Sequence, residues 1–530
     1  MTFTSISFII FIIVLTILYY ILPKRFQWVI LLSASIVFYV SSGWKAIPFV
    51  LVTSLAVYWA ARAMDHIYSV LAQDIATDNI SKEDKQNLHR LAKAKCKRYV
   101  ILAIIVLLGM LGYVKFTNKI GALMSDLILF VRGFGTEFEP WDLIIPMGIS
   151  YYTFSSIGYL LDVYWKKDKC EKNYFKVLLY MIYFPQIVEG PIARHKLLAP
   201  QFMEEKIFDY KSFCFGVQLM TWGYFKKMVI ADRAAIFVNT IMGNLESYQG
   251  FYIVIALAFG VVQLYTDFSG CMDIARGISE VFGIRLEKNF DRPFFSSSVA
   301  EFWRRWHITL GAWFKDYVYM PVATSKWMMR INTKVKKKKG VAAYKLVSAA
   351  VPLMVVWLLT GLWHGTGWNY VVWGIYYGLL IILGMVFEGN FQKIEEMLHI
   401  NTKATSWRIF QHIRVFLVFM GGRLLTAPGT LGNTIIAAKQ MFSQFNIWVF
   451  FDGSLYSMGL DRPNFILLLV TIVVLWGVSM LQLRGSVREM IARQNIVVRW
   501  LIYYMLFFSI LIFGEYGPGF DASSFVYMNF

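Results

Sequence analysis

Apolar residues come in long blocks along this chain, not in the alternation of half-buried strands or the single stripe of soluble helices. Three close runs open it, at residues 6–22, 28–40 and 47–63. Further runs occupy 99–116, 143–165, 251–268, 342–363, 368–387, 410–425, 465–483 and 497–513. A bilayer core takes about 20 apolar residues per helix, so each block predicts a membrane element. The stretch 174–233 is different. Its run 174–188 ends in Glu189-Gly190-Pro191, and 213–224 runs into Lys226-Lys227. Interrupted segments of this kind predict tilted or re-entrant elements, tolerated at membrane depth only inside protein or around a wet cavity. Residues 269–322 are too polar for lipid and too aromatic for an ordinary loop, and 430–445 reads as an amphipathic helix at the outer interface. The pattern predicts an all-α polytopic membrane protein of roughly 11 to 13 elements, built as a single domain over residues 1–530.

Charge gives the topology. Lys82, Lys85, Arg90, Lys93, Lys95, Lys97 and Arg98 place the polar stretch 65–98 in the cytoplasm, by the excess of basic residues in cytoplasmic loops. Asp126, Glu137, Glu139 and Asp142 follow on the far side, and Lys166, Lys167, Lys169 and Lys172 mark the return. The first run has no basic residue before it and Lys24-Arg25 after it, which predicts an uncleaved first helix with its N-terminus outside. Composition agrees, with 58% hydrophobic and only 16% charged residues where soluble domains carry about 25% charged. The net charge of +19 lies in short loops between apolar runs, so it argues for topology and contact with anionic lipid, not for nucleic acid. Four scattered cysteines without a C-x-x-C pair indicate neither a disulfide nor a zinc framework.

Two clusters carry candidate chemistry. Glu301-Phe302-Trp303-Arg304-Arg305-Trp306-His307 packs aromatics, two arginines and a histidine together. Ionisable residues at membrane depth are costly and mark functional sites by default; an interfacial aromatic belt with snorkelling arginines is the other reading. Thr360-Gly361-Leu362-Trp363-His364-Gly365-Thr366-Gly367-Trp368-Asn369 sets one histidine among three glycines between two lipid-grade runs. A helix from about Lys345 to His364 rises ~28 Å, well across from the cytoplasm. Histidine titrates where a general base must, whereas the bland reading is a buried ring bonded to a carbonyl. His66, His89 and His399 lie in charged stretches and read as solvated; His412 opens a helix at an interface; His195, after the interrupted segment, reads as a loop residue in preference to one beside a cavity. No His pair at i, i+4 points to a metal. Asp267, in Thr266-Asp267-Phe268-Ser269-Gly270, is expected to pair with Arg304 or Arg305. The lysines at 334 and 336–339 form a basic cytoplasmic loop, for anionic lipid or an acidic acyl-carrier protein.

At this point the residues resemble a family. E-F-W-R-R-W-H at 301–307 and L-W-H-G-T-G at 362–367 are similar to motifs of the membrane-bound O-acyltransferases. F-P-Q-I-V-E-G-P-I-A-R-H-K-L-L-A-P at 184–200, Y-T-D-F-S-G at 265–270 and N-F-D-R-P-F-F at 289–295 strengthen the likeness. The alginate and peptidoglycan O-acetyltransferase branch fits, with its length and aromatic ending Phe525-Val526-Tyr527-Met528-Asn529-Phe530; the D-alanyl transfer protein of teichoic acids is related. The resemblance is dense over about 145–380, with helices before 116 and after 410 outside that core. It implies helices around a thin central tunnel in a bacterial cytoplasmic membrane, where a cytoplasmic acyl donor meets an extracytoplasmic acceptor. It implies that His364 is the active-site histidine, here a general base, and that His307 is its partner, orienting the acyl group or relaying a proton. Trp303, Trp306 and Trp363 would wall the tunnel, with Asp267, Ser269, Arg304, Arg305 and Asn369 completing the substrate site. No bound cofactor is expected. The donor would be a thioester such as acetyl-coenzyme A, and the acceptor a polysaccharide or an esterase-like acetyltransferase partner. D-alanyl transfer to teichoic acid and a proton-coupled transporter or channel are the alternatives.

Overall fold

The computed structural model of the chain describes residues 1–77, 81–132 and 138–516. Among these all regular elements are helical, and one isolated antiparallel bridge joins Phe290 to Trp306. The described residues contain nine helices long and apolar enough to cross a bilayer. They are Lys24–Ser42, Trp44–Ala76, Lys82–Val131, Phe251–Val281, Lys326–His364, Trp368–Val386, Thr405–Thr426, Arg462–Leu481 and Ile496–Phe513. Ile6–Ile21 is a shorter apolar helix. Several of them present apolar side chains outward, Leu469, Val473 and Trp476 among them, as lipid-facing surface requires. The protein is a multi-pass membrane protein.

The sequence blocks and the helices differ in three places. The charged stretch 65–98 is mostly helix: it prolongs Ile47–Thr77 and begins Lys82–Arg132, so one 51-residue helix carries both charge and apolar run. The run 143–165 yields a helix only over Ile149–Tyr164, because Pro146 and Gly148 hold the chain out of helix before it. Gly148 sits at φ +67, and a Cβ there would lie 2.1 Å from the Ile187 carbonyl oxygen. This short helix is almost wholly buried and rich in hydroxyls, from Tyr151 to Tyr159. Finally, Lys226-Lys227 do not end their segment. Tyr210–Tyr224 continues through a π-helical stretch, Phe225–Ala231, into Asp232–Met242. The wider turn lets both lysines point into protein.

The chain divides into two compact units. The first comprises Met1–Gly216 with Ala275–Glu287. Polar clasps hold it: the buried Gln27 amide donates to the Lys206 carbonyl at 2.9 Å and accepts from the Lys206 N–H at 2.8 Å. His195 opens the helix His195–Met203 here. It is buried, with Nδ1 2.8 Å from an Asp168 carboxylate oxygen, so it is a packed residue of this unit and not a loop residue. The second unit comprises Val217–Ile274 with Lys288–Phe530 and holds every candidate site residue. Its amphipathic segment at 430–445 is the helix Leu431–Ser443, whose first turn is closed by the Thr430 hydroxyl accepting from the Asn433 N–H at 3.1 Å.

Candidate active site

His364 is the last residue of the helix Lys326–His364. That helix breaks at Gly340 (φ +82), which separates its lysine-rich beginning from its apolar remainder. The end bearing His364 is placed by backbone contact with Trp368–Val386. A Cβ on Gly361 would lie 2.5 Å from the Tyr370 carbonyl oxygen, and one on Gly374 2.4 Å from that of Trp357. Only glycine permits this approach. The close crossing brings the buried His364 ring 4.9 Å from the Trp373 ring and 4.6 Å from that of Trp363.

His307 is held differently. The short helix Val299–Arg305 ends at Trp306, and His307 follows in the left-handed region (φ +47, ψ +53) before Ile308–Phe314. Such a backbone costs a residue with a Cβ about 1–3 kcal/mol unless its surroundings hold it. Asn289 does so. Its carbonyl oxygen accepts from the Ile308 N–H at 2.9 Å, and its side-chain oxygen accepts from the N–H and hydroxyl of Thr309, both at 3.0 Å. His307 Nδ1 lies 3.3 Å from that same oxygen. The Asp291 N–H donates to the Arg305 carbonyl at 2.9 Å, extending the clamp. Phe268 packs its edge against the imidazole at 4.8 Å. His307 lies outside the spanning helices, and burial holds its pKa well below the ordinary histidine value, so the ring is neutral near pH 7.

The two imidazoles meet at one side chain. The Trp363 ring is 6.3 Å from His307 and 4.6 Å from His364, centre to centre. Around them stands an aromatic wall. Trp303 packs against Trp357 (4.8 Å), Tyr377 (4.7 Å) and Trp373 (5.7 Å), and Trp306 stacks on Phe302 and abuts Phe419. The Trp303 indole N–H is buried without a hydrogen-bond partner among the described residues. Asn369 is fully buried; its amide donates to the Leu425 carbonyl at 3.3 Å while its oxygen meets no donor among them. Trp303 thus leaves one buried donor atom open, and Asn369 one buried acceptor atom.

The charged candidates go elsewhere. Asp267 is not paired with Arg304 or Arg305: it accepts from Lys227 Nζ at 2.7 Å, and Lys227 also reaches Asp232 at 2.9 Å. Ser269 accepts from Lys226 Nζ at 2.9 Å, and Lys226 also meets Asp273 at 2.7 Å. Arg305 bonds Glu301 one turn back, and Arg304 on the same short helix is exposed. Both arginines are therefore drawn toward the short helix's own surface, away from the buried Asp267. Sequence reasoning missed the two lysines, which it read as the end of a segment. The signal was present: two lysines beside a lipid-grade run need carboxylates, and Asp232, Asp267 and Asp273 stand in equally apolar surroundings. Among the described residues no three His, Cys, Asp or Glu side chains gather to hold a metal.

Comparison with known proteins bears on this geometry. The membrane-bound O-acyltransferase (MBOAT) family profile matches residues 171–423, which include both histidines, Asn289 and the lysine–aspartate cluster. A Pseudomonas syringae protein named "Probable alginate O-acetylase" is 30% identical over 76% of this chain and 68% of its own length. A Helicobacter pylori peptidoglycan O-acetyltransferase is 28% identical over 62% of each chain. A Bacillus subtilis teichoic acid D-alanyltransferase is 29% identical over 47% of this chain and 61% of its own. The expected family is met, and with it the kind of enzyme: this chain belongs to the membrane-bound O-acyltransferase family and is an acyltransferase.

Proposed function

We propose that this protein is an O-acetyltransferase of a bacterial cytoplasmic membrane. It takes an acetyl group from a cytoplasmic thioester, acetyl-coenzyme A in the simplest case, and delivers it to a hydroxyl beyond the membrane. The acceptor is a cell-envelope polysaccharide or an extracytoplasmic esterase-like partner that completes the transfer. The observation that carries this reading is the meeting of two buried imidazoles on the Trp363 ring, inside an aromatic wall.

His364 acts as the general base. It removes the acceptor hydroxyl proton as the oxygen attacks the thioester carbonyl; the tetrahedral intermediate collapses, and the thiolate leaves with the proton from the imidazolium. A helix C-terminus carries partial negative charge, so the end of Lys326–His364 steadies the positive ring in between. Positioned proton transfer of this kind contributes about 10²–10⁴-fold. Trp303, Trp306 and Trp363 wall the chamber against water, which would hydrolyse the thioester. The open Trp303 N–H and Asn369 oxygen offer one donor and one acceptor to the acyl group and the incoming hydroxyl. Asp267, Ser269, Arg304 and Arg305 take no direct part.

The test replaces His364 by Ala, confirms insertion and protein level, and measures ester-linked acetyl on surface polysaccharide. Undiminished acetylation would sink the assignment. A second reading, D-alanyl transfer to teichoic acid, is favoured by the Bacillus subtilis relative and by the exposed lysines at 334 and 336–339, a surface suited to an acidic carrier protein. Tight binding of a D-alanyl-loaded carrier, with no acetyl transfer from acetyl-coenzyme A, would select it.

A further inference from the structure

Asn289 stands outside the aromatic wall yet reaches His307 through its side chain. Which end of its amide is oxygen follows from its neighbours. The Thr309 main-chain N–H can only donate, and it lies 3.0 Å from the atom assigned as oxygen. The Thr309 hydroxyl lies 3.0 Å from the same atom, while the amide nitrogen points to the Met272 sulfur at 3.1 Å, a weak acceptor. Reversing the amide would set an N–H against an N–H. With the oxygen fixed, the ring nitrogen of His307 that faces it must carry a hydrogen, because an oxygen acceptor has none to give. Asn289 is itself 1% exposed, so no solvent competes for that oxygen.

We propose that Asn289 is a positioning residue that locks His307 in the tautomer protonated at Nδ1, leaving Nε2 as a lone pair that accepts rather than donates. A neutral imidazole has one hydrogen, and Asn289 takes it. His307 therefore cannot polarise the thioester carbonyl by donating to it. It accepts instead, from the attacking hydroxyl or from His364 as a proton passes. The donor that steadies the oxyanion comes from elsewhere in the chamber, where the Trp303 indole N–H stands open. The left-handed backbone at His307 serves the same end, since the four bonds made to residues 307–309 by Asn289 set both the ring's plane and its hydrogen.

This inference rests on the reading of His307 as part of the acyl-transfer site, but its test does not. The full-length protein, labelled with ¹⁵N at histidine Nδ1, is reconstituted in lipid bilayers and examined by solid-state NMR; a His307→Gln sample identifies the His307 signal. The expected result is a protonated Nδ1 in the wild type. In Asn289→Ala the signal divides between protonated and unprotonated positions and kcat for acetyl transfer falls about 10–100-fold, as when an outer partner of a functional histidine is lost. Asn289→Asp, which keeps an acceptor oxygen, restores the single protonated signal. An unprotonated Nδ1 in the wild type overturns the proposal, and so does an unchanged signal in Asn289→Ala. The wild-type spectrum decides even if the alanine variant fails to fold. Full activity in His307→Gln would instead remove His307 from the reaction and leave the tautomer assignment standing.

Discussion

The two histidines reach the same tryptophan by opposite means. His364 rides on the end of a long helix, and its place is set by rigid backbones crossing at Gly361 and Gly374. His307 sits on a strained turn between two seven-residue helices, and its place is set by hydrogen bonds to Asn289. Packing fixes where a group is; hydrogen bonds fix where it is and which of its atoms carry hydrogen. A ring that must keep one tautomer needs a partner. The roles proposed above follow this division, with proton abstraction given to His364 and the steadier part to His307.

The largest expected effect breaks the comparison at His364. His364→Ala should lower acyl transfer by about 10²–10⁴-fold, with thermal unfolding in detergent nearly unchanged, and a larger loss in His307→Ala would reverse the two roles. Next comes the buried charge cluster of Lys227, Asp232 and Asp267. Lys227→Met leaves Asp267 and Asp232 buried without their cation, a loss of about 3–5 kcal/mol. It should show as a lower melting temperature, partly regained on adding Asp267→Asn. Gly374→Leu drives a side chain into the Trp357 carbonyl and should cost about 1–3 kcal/mol. It should displace His364 while the NMR signal of His307 stays in place. Thr309→Val removes one of the bonds to the Asn289 oxygen for about 1 kcal/mol, read from the same melting curves. Smallest of all, Arg304→Ala should stay within about 0.5 kcal/mol and keep full activity, whereas a strong defect would return Arg304 to the site.

Much of this was legible in the chain. The apolar blocks at 251–268, 342–363, 368–387 and 465–483 became long helices because about 20 apolar residues in lipid have no other way to satisfy their backbone. His364 stood out because few interactions justify an imidazole between two such blocks. The aromatic motif at 301–307 was readable as a candidate site, but the direction of its side chains was not. Arg304 and Arg305 look equivalent in sequence; one is exposed and the other bonds Glu301, because a short helix turns them about 100° apart. The length of Ile149–Tyr164 depended on Gly148 meeting Ile187, a contact between residues far apart in the chain. The aromatic ending at 525–530 and Glu137 lie outside the described residues.

The sequence by itself determined the solvent of this protein and the two histidines worth watching, since hydrophobic block length and the cost of a buried ionisable group are local properties. Only the tertiary structure decided the partners. Lys227 chose Asp267 across 40 positions, and Asn289 chose His307 across 18. Hydrogen bonds and ion pairs depend on distances of about 3 Å, and the chain order does not contain those until the helices have packed.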